Sequence, residues 1–340
     1  MRSMKNICHP NRCGARRSLL LPLGMAVLLC AVFVVGFRME NAQREQARGV
    51  ATQDVGLLRR MTYEGKPYVE KAGLTSLLLM GVDQTSDAGY YGARQGGQAD
   101  FLVLVTIDHE NREIRQLHID RDTMVDVDTL SVMGKPQGLR NMQICLSHAF
   151  GADATSCALN TQAAVERLLA GLDVDYYIAM NVEAIGALNQ ALGGIEVTLE
   201  EDYAYLDAAM TKGASLRLTD EQAYNLVQRR LDVGDGTNEA RMARQVWFMQ
   251  AVLSQLRARL SESPSFIETL FDQLAPYMAT NMAKGRMAAE ANQAYHYNVS
   301  PAEKLAGEHT IGSDGFVEFH VDEAQTERWA AQTLFKPDIY

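Results

Sequence analysis

Two apolar runs separated by six polar residues constrain this chain more than any other stretch. Phe101–Ile107 is short, apolar and rich in β-branched residues, the pattern of a buried strand. Asp108–Glu113 (DHENRE) is a polar turn, and Ile114–Ile119 alternates as a second strand. Strands joined by so short a loop pair antiparallel. A hairpin folded about Asn111 sets Asp100 opposite Asp122, with Asp120 and Arg121 beside them. Directly opposed residues have Cβ atoms about 4.5–5.5 Å apart. Two carboxylates that close repel unless one is protonated or a cation lies between them. The pair therefore reads in one of two ways. It is either a hairpin end with solvated charges, or an oxygen-ligand site for a divalent cation with arginine at hand for phosphate.

The N-terminus limits where such a site operates. Residues 1–17 carry Arg2, Lys5, Arg12, Arg16 and Arg17 and no acid, and residues 18–37 are uncharged and apolar. Twenty helical residues span a hydrocarbon core of about 30 Å. No small-x-small cleavage site follows directly, since Arg38, Met39 and Glu40 come next, so an uncleaved anchor is preferred over a cleaved signal. The preceding positive charges place the N-terminus inside and the rest of the chain outside. Of 32 Lys and Arg, six lie in residues 1–38; the other 26 stand against 42 acids, a net −16. That balance excludes nucleic acid as a partner and makes any anion site local. Five cysteines without a CxxC pair exclude a disulfide-built scaffold or zinc module. Cys145 and Cys157 read equally as one bridge or as two buried thiols.

Beyond the anchor, residues 38–70 form a polar stalk, and Thr75–Val82 is a further buried strand. A helix over the TQAAVERLLAGL segment (161–172) is followed by strand Asp175–Met180, helix Val182–Leu192 and strand Ile195–Leu199. Thr219 and Gln222 have the spacing of a capping box opening the next helix. Arg241 and Arg244 share a helix face at i, i+3, and Val246–Leu260 continues as a long amphipathic helix. A last strand is expected over Gly315–Val321. This alternation predicts an α/β domain over residues 71–340, with a core over 71–256 and a C-terminal extension over 257–340. Its central mixed β-sheet is covered by helices on both faces.

The segments SLLLMGVD, QADFLVLVTID, LHIDRDTMV, LSHAFGAD, DYYIAMN, ALGGIEV, LTDEQAYNLVQRR and EARMARQ, in this order behind an anchor, resemble the LytR-CpsA-Psr family. The likeness is strong over residues 71–256 and weak beyond. It implies a membrane-anchored bacterial phosphotransferase of the Gram-positive type of envelope. Such an enzyme moves an anionic glycopolymer, of the teichoic acid or capsule kind, from a polyprenyl pyrophosphate carrier to peptidoglycan. It also implies Mg²⁺ and a deep apolar pocket for the prenyl chain. By position, Asp100, Arg121 and Asp122 correspond to catalytic residues, with Asp100 and Asp122 toward the metal. Arg121, Arg230, Arg241, Arg244 and Gln245 correspond to the pyrophosphate ligands.

The chain departs from the family pattern where cations are usual. Gln98 and Gln228 stand in place of arginines and Cys145 in place of a lysine. Asp120 replaces a proline, and Asn238 an aspartate. Arg94 and Arg229 are nearby cations, although Arg229 and Arg230 point to opposite faces if extended. Phosphoryl transfer relies mainly on positioning and charge stabilisation, and Asp100, Asp120 and Asp122 are all candidates to take a proton from an acceptor hydroxyl. The missing cations keep a second reading open, a non-catalytic carrier or scaffold for polyprenyl lipids. A third, a hydrolase of similar substrates, has no nucleophile motif or zinc spacing behind it. Protease added to intact protoplasts should remove the domain beyond Arg38; a domain protected until lysis would refute the topology.

Overall fold

The computed structural model describes residues 59–85, 96–229, 238–294 and 297–338. The expected anchor (18–37), Arg94 and Arg230 lie outside the described residues, and no helix within them is long and apolar enough to cross a membrane.

The first two strands fall inside the segment expected to be stalk. Strands β1 (Arg60–Tyr63) and β2 (Lys66–Glu70) form a hairpin. Glu64 and Gly65 close it at φ of 49° and 71°, the two-residue turn whose twist matches its strands. Strands β3 (Leu74–Val82), β4 (Ala99–Asp108) and β5 (Glu113–Ile119) follow as antiparallel neighbours. An outer hairpin, β6 (Met124–Leu130) and β7 (Pro136–Gln143), comes next and was not anticipated from sequence. A 3₁₀ turn over Ile144–Ala149 leads to helix α1 (Ala154–Leu168). This helix starts earlier than its apolar spacing suggests, because Asp153 accepts from the Ser156 amide and the Ser156 hydroxyl returns to the Asp153 backbone.

Strand β8 (Tyr176–Asn181) pairs in parallel with β3. After α2 (Ala184–Leu192), the expected strand at 195–199 forms as β9 (Glu196–Thr198), in a separate ribbon with β10 (Ser215–Arg217). The Thr219–Gln222 box opens α3 (Asp220–Gln228), which precedes the long α4 (Asn238–Glu262). Then come α5 (Phe266–Leu274), β11 (Met278–Thr280), α6 (Lys284–Ala294), β12 (Asn298–Val299) and β13 (Glu303–Lys304). A hairpin, β14 (Gly307–Ile311) with β15 (Val317–Val321), precedes α7 (Glu323–Thr333). Strand β16 (Phe335–Pro337) then returns to pair with β2. The expected last strand is therefore the last but one.

The central sheet is mixed, in the order β11-β8-β3-β4-β5-β12, with β13 also on β5. Strands β3 and β4 are apolar on both faces because both faces are covered. Leu77, Leu79, Val103 and Val105 face one way, onto Leu188, Leu226, Phe248 and Leu270 of α2, α3, α4 and α5. Leu78, Met80, Leu102 and Leu104 face the other, onto Val165 of α1 and Ala330 of α7. The period of two along each strand supplies both cores at once. Cys145 and Cys157 are buried free thiols.

Candidate active site

Strand direction gathers the chemistry at one edge. Strands β3, β5 and β8 run one way and β4 the other, so the ends of the first three and the start of β4 share an edge. Asp83 follows β3, Asp100 is the second residue of β4, and Arg121 and Asp122 follow β5.

The hairpin register differs from the expectation by one residue. Asp108 pairs with Glu113 and Leu102 with Ile119, which brings Arg121 rather than Asp122 into line with Asp100. The loop has four residues, so its centre lies between Glu110 and Asn111. The Asp108 carboxylate accepts from the Asn111 amide and side chain, both at 2.8 Å, and Arg112 turns the chain at φ 54°. A one-residue slip exchanges what faces what. Here it places a guanidinium, not a second carboxylate, against Asp100.

Asp100 is 4% exposed. Its Oδ1 is ion-paired with Arg121 Nη1, and its Oδ2 lies 3.8 Å from Arg241 Nη1. Arg121 Nε is 3.3 Å from Asp122 Oδ1, so this one side chain bridges both carboxylates. Its Nη2 donates to Gln98 Oε1 at 2.6 Å and to Cys145 Sγ at 3.4 Å. Two of the departures from the family pattern thus act on Arg121: a carboxamide oxygen and a thiol replace cations that would repel it. Burial pushes the Cys145 thiol up to about 12, which keeps it protonated at neutral pH.

Asp83 is a member of this cluster that sequence spacing did not single out. Its Oδ1 accepts from the Gln98 amide. Gly97 between them has φ +72°, and a Cβ there would stand 2.7 Å from Asp83 Oδ1, so glycine permits the approach. Burial raises Asp83 to about 6, against the Gln98 amide and Arg121. Burial likewise raises Asp100 to about 7, because the loss of solvation outweighs Arg121 and Arg241 while Asp83 and Asp122 add to the rise.

Asp120, in the place of a proline, folds back so that Oδ1 accepts from the Asp122 amide at 2.9 Å. Its Oδ2 lies 3.1 Å from His309 Nε2. His309 packs on Phe319, ring centroids 4.7 Å apart, and the Phe319 amide donates to the Asp122 carbonyl at 2.7 Å. The β14–β15 hairpin is therefore docked on the arginine–aspartate turn. His309 is 189 residues from Asp120, and no local pattern pointed to it.

Arg241, Arg244 and Gln245 are 4%, 6% and 1% exposed on α4. Arg241 reaches Asp100. Arg244 donates to the carbonyls of Leu226 and Arg229, and Gln245 Nε2 to that of Val227 at 3.3 Å. These two hold the C-terminal end of α3, where a cation offsets the exposed carbonyls. Arg229 is exposed and donates to Asn225 Oδ1 at 3.4 Å. The guanidinium groups and the carboxylates suit a polyvalent oxyanion together with a hard cation. Among the described residues, no group of three or more His, Cys, Asp and Glu is assembled to hold a metal.

The fold and this edge define a family. The LytR_cpsA_psr family model matches residues 36–333, and the chain belongs to that family. It is 25% identical over 258 residues to the polyisoprenyl-teichoic acid–peptidoglycan teichoic acid transferase TagU of Bacillus cereus, covering 75% of this chain and 76% of that protein. Among solved structures it is similar in fold to B. subtilis TagV, with TM-score 0.59 at 19% identity over 77% of this chain and 96% of that one. It is similar also to TagT bound to LI-WTA, with TM-score 0.55 at 18% identity over 76% and 89%.

The buried carboxylate has a signature in stability. In the fold Asp100 keeps its proton to about pH 7, against an ordinary value of 3.8 in the unfolded chain. The native state binds the extra proton between those values, so stability falls as pH rises from about 4 to about 7. Asp83 contributes only below about pH 6. Asp100→Asn should flatten the fall between about pH 6 and 7 in metal-free denaturant unfolding, and an unchanged slope there would overturn the assignment.

Proposed function

We propose that this chain is a membrane-anchored phosphotransferase that attaches an anionic glycopolymer, of teichoic acid or capsule type, from a polyprenyl pyrophosphate carrier to peptidoglycan. One observation carries the reading: a buried cationic cluster and a cavity walled in part by aliphatic side chains lie along the same helix. The cavity, about 310 Å³, lies between α4 and the β5 edge, with Val246, Met249, Leu253, Val299 and Pro301 as its apolar wall and Gln116, Gln250 and Ser300 as its polar one. Arg241, Gln245 and Met249 recur at i, i+4 and i+8, one face of α4. At 1.5 Å per residue, Met249 is about 12 Å and Leu253 about 18 Å beyond Arg241. An anionic head with an apolar tail fits that order of surfaces. Helix α1 packs on the opposite face of the sheet and α2 in the core beside α4, so neither lines this cavity. The name of the B. cereus relative, a polyisoprenyl-teichoic acid transferase, supports the same substrate class.

Within this reading, Arg121 and Arg241 take the pyrophosphate oxygens, with Arg230 as a further ligand. Arg244 and Gln245 support them by fixing the end of α3. The apolar segment 18–37 tethers the domain outside the cell membrane, where its lipid substrate lies. Arg121 is held by Asp100, Gln98 and Asp122, and turns toward phosphate by exchanging one of these partners.

Magnesium is the proposed cofactor, and the donor chemistry fits it. It favours carboxylate oxygens and completes its shell with water and substrate phosphates. Asp100 is the central donor. Asp122 shares Arg121 with it, and Asp83 is near enough to raise its pKa. When bound, the ion would offset the charge of the pyrophosphate. Calorimetry on the full-length protein should lose the Mg²⁺ signal in Asp100→Ala, with Asp122→Ala and Asp83→Ala identifying the second ligand. Unchanged binding in all three would end the metal assignment.

Full-length protein incubated with a polyprenyl pyrophosphate-linked oligosaccharide, Mg²⁺ and glycan strands should release polyprenyl phosphate. Arg121→Ala should reduce the rate by about 100-fold or more, the usual loss when a charge-stabilising donor is removed. Tight lipid binding without turnover on several acceptors would replace the transferase by the carrier.

A further inference from the structure

The edge that holds Asp100 carries a second opening. A cavity of about 210 Å³ lies between the ends of β3 and β8 and residues 276–279. Its polar lining is Gln84, Thr85, His148 and Asn181, Tyr277 supplies aromatic surface, and among the described residues no acid, lysine or arginine lines it. Open α/β sheets take their ligands at the carboxyl ends of such parallel strands.

His148 is the unusual member. It is 1% exposed. Its Nδ1 lies 2.6 Å from the Gly96 carbonyl oxygen, which can only accept, so Nδ1 carries the hydrogen. Nε2 is then a lone-pair acceptor, and it is buried without a hydrogen-bond partner among the described residues. Burial pushes the ring down to about 4 despite the Gly96 contact, so it is neutral at physiological pH. A buried acceptor left without a donor is destabilising and requires an explanation. A ligand hydroxyl would supply one.

The lining narrows the class of ligand. A phosphate or carboxylate would meet no cation among the described residues there. Amide and hydroxyl groups beside one aromatic ring suit a neutral sugar, which offers hydroxyls at its rim and C–H groups on its faces. Strands β4, β3 and β8 are consecutive neighbours, each about 4.8 Å from the next. The cavity therefore stands one to two strands from Asp100, close enough for a sugar seated in it to present a hydroxyl to a phosphate held by Arg121 and Arg241.

We propose that this cavity is the acceptor subsite, seating one neutral sugar of the acceptor glycan with a hydroxyl donating to His148 Nε2. The proposal rests on the transferase reading for its role and on the cavity for its ligand. The probe is a soluble N-acetylglucosamine oligomer, titrated into full-length protein in detergent. His148→Asn keeps a donor for the Gly96 carbonyl and removes the acceptor at Nε2. Ala154→Trp, at the half-buried start of α1 on the cavity wall, fills the space and leaves His148 itself unchanged. Each variant should weaken probe binding about ten-fold or more and leave polyprenyl pyrophosphate binding unchanged. No binding by the wild type, or wild-type affinity in Ala154→Trp, would overturn the subsite. Glycan binding sensitive to Ala154→Trp in a protein without turnover would keep the subsite and remove the transferase. Turnover with an acceptor KM unmoved by either variant would do the reverse.

Discussion

The buried pairing of Asp100 with Arg121 is the constraint on which the rest of this site depends. A carboxylate 4% exposed is strongly desolvated, and the arginines compensate only in part, which is why Asp100 titrates high. Removing one partner of such a pair costs about 3–5 kcal/mol, because the other charge stays buried. Arg121 is fixed in turn by Gln98, Asp122 and Cys145, and Asp100 is flanked by Arg241 from α4. Four separate segments therefore converge on one ion pair. The cation at its centre, Arg121, is thus already partnered by carboxylate, carboxamide and thiol.

Seen this way, the departures from the family pattern form a consistent set. Gln98 and Cys145 replace cations with groups that accept from Arg121. Asp120 brings a negative charge to the turn, yet one oxygen is tied to the Asp122 amide and the other faces His309. The net effect is a site with fewer cations than the family pattern and with acceptors around Arg121 in their place. Gln228, in place of another arginine, is buried with both amide atoms lacking partners among the described residues, so this position too is polar without being charged.

Helix α4 joins the polar and apolar halves of the molecule. Its first turns carry Arg241, Arg244 and Gln245 against the strand edge and the end of α3, and its next turns carry Phe248, Met249 and Val252 into the core. Because one helix face runs through both regions, the cationic and aliphatic surfaces follow one another in a fixed order. Docking of the β14–β15 hairpin through Phe319 and His309 makes the C-terminal segment part of the site's wall.

Local pattern alone determined a good deal. The double-sided apolar strands identified β3 and β4 as the buried centre of a covered sheet, the Thr219–Gln222 spacing placed the start of α3, and i, i+3 spacing put Arg241 and Arg244 on one helix face. These features follow from short-range periodicity and capping, which are written in neighbouring residues. What tertiary structure decided is which side chains meet. The hairpin register turned on the even length of its loop, a one-residue matter that no apolar pattern encodes on a doubly buried strand. Asp83 reaches Asp100 only because β3 and β4 share an edge, and His309 meets Asp120 across 189 residues. Arg244 and Gln245, indistinguishable by spacing from Arg241, turned out to hold the end of α3. Those contacts depend on strand order and helix docking, long-range properties set by burial of both sheet faces at once.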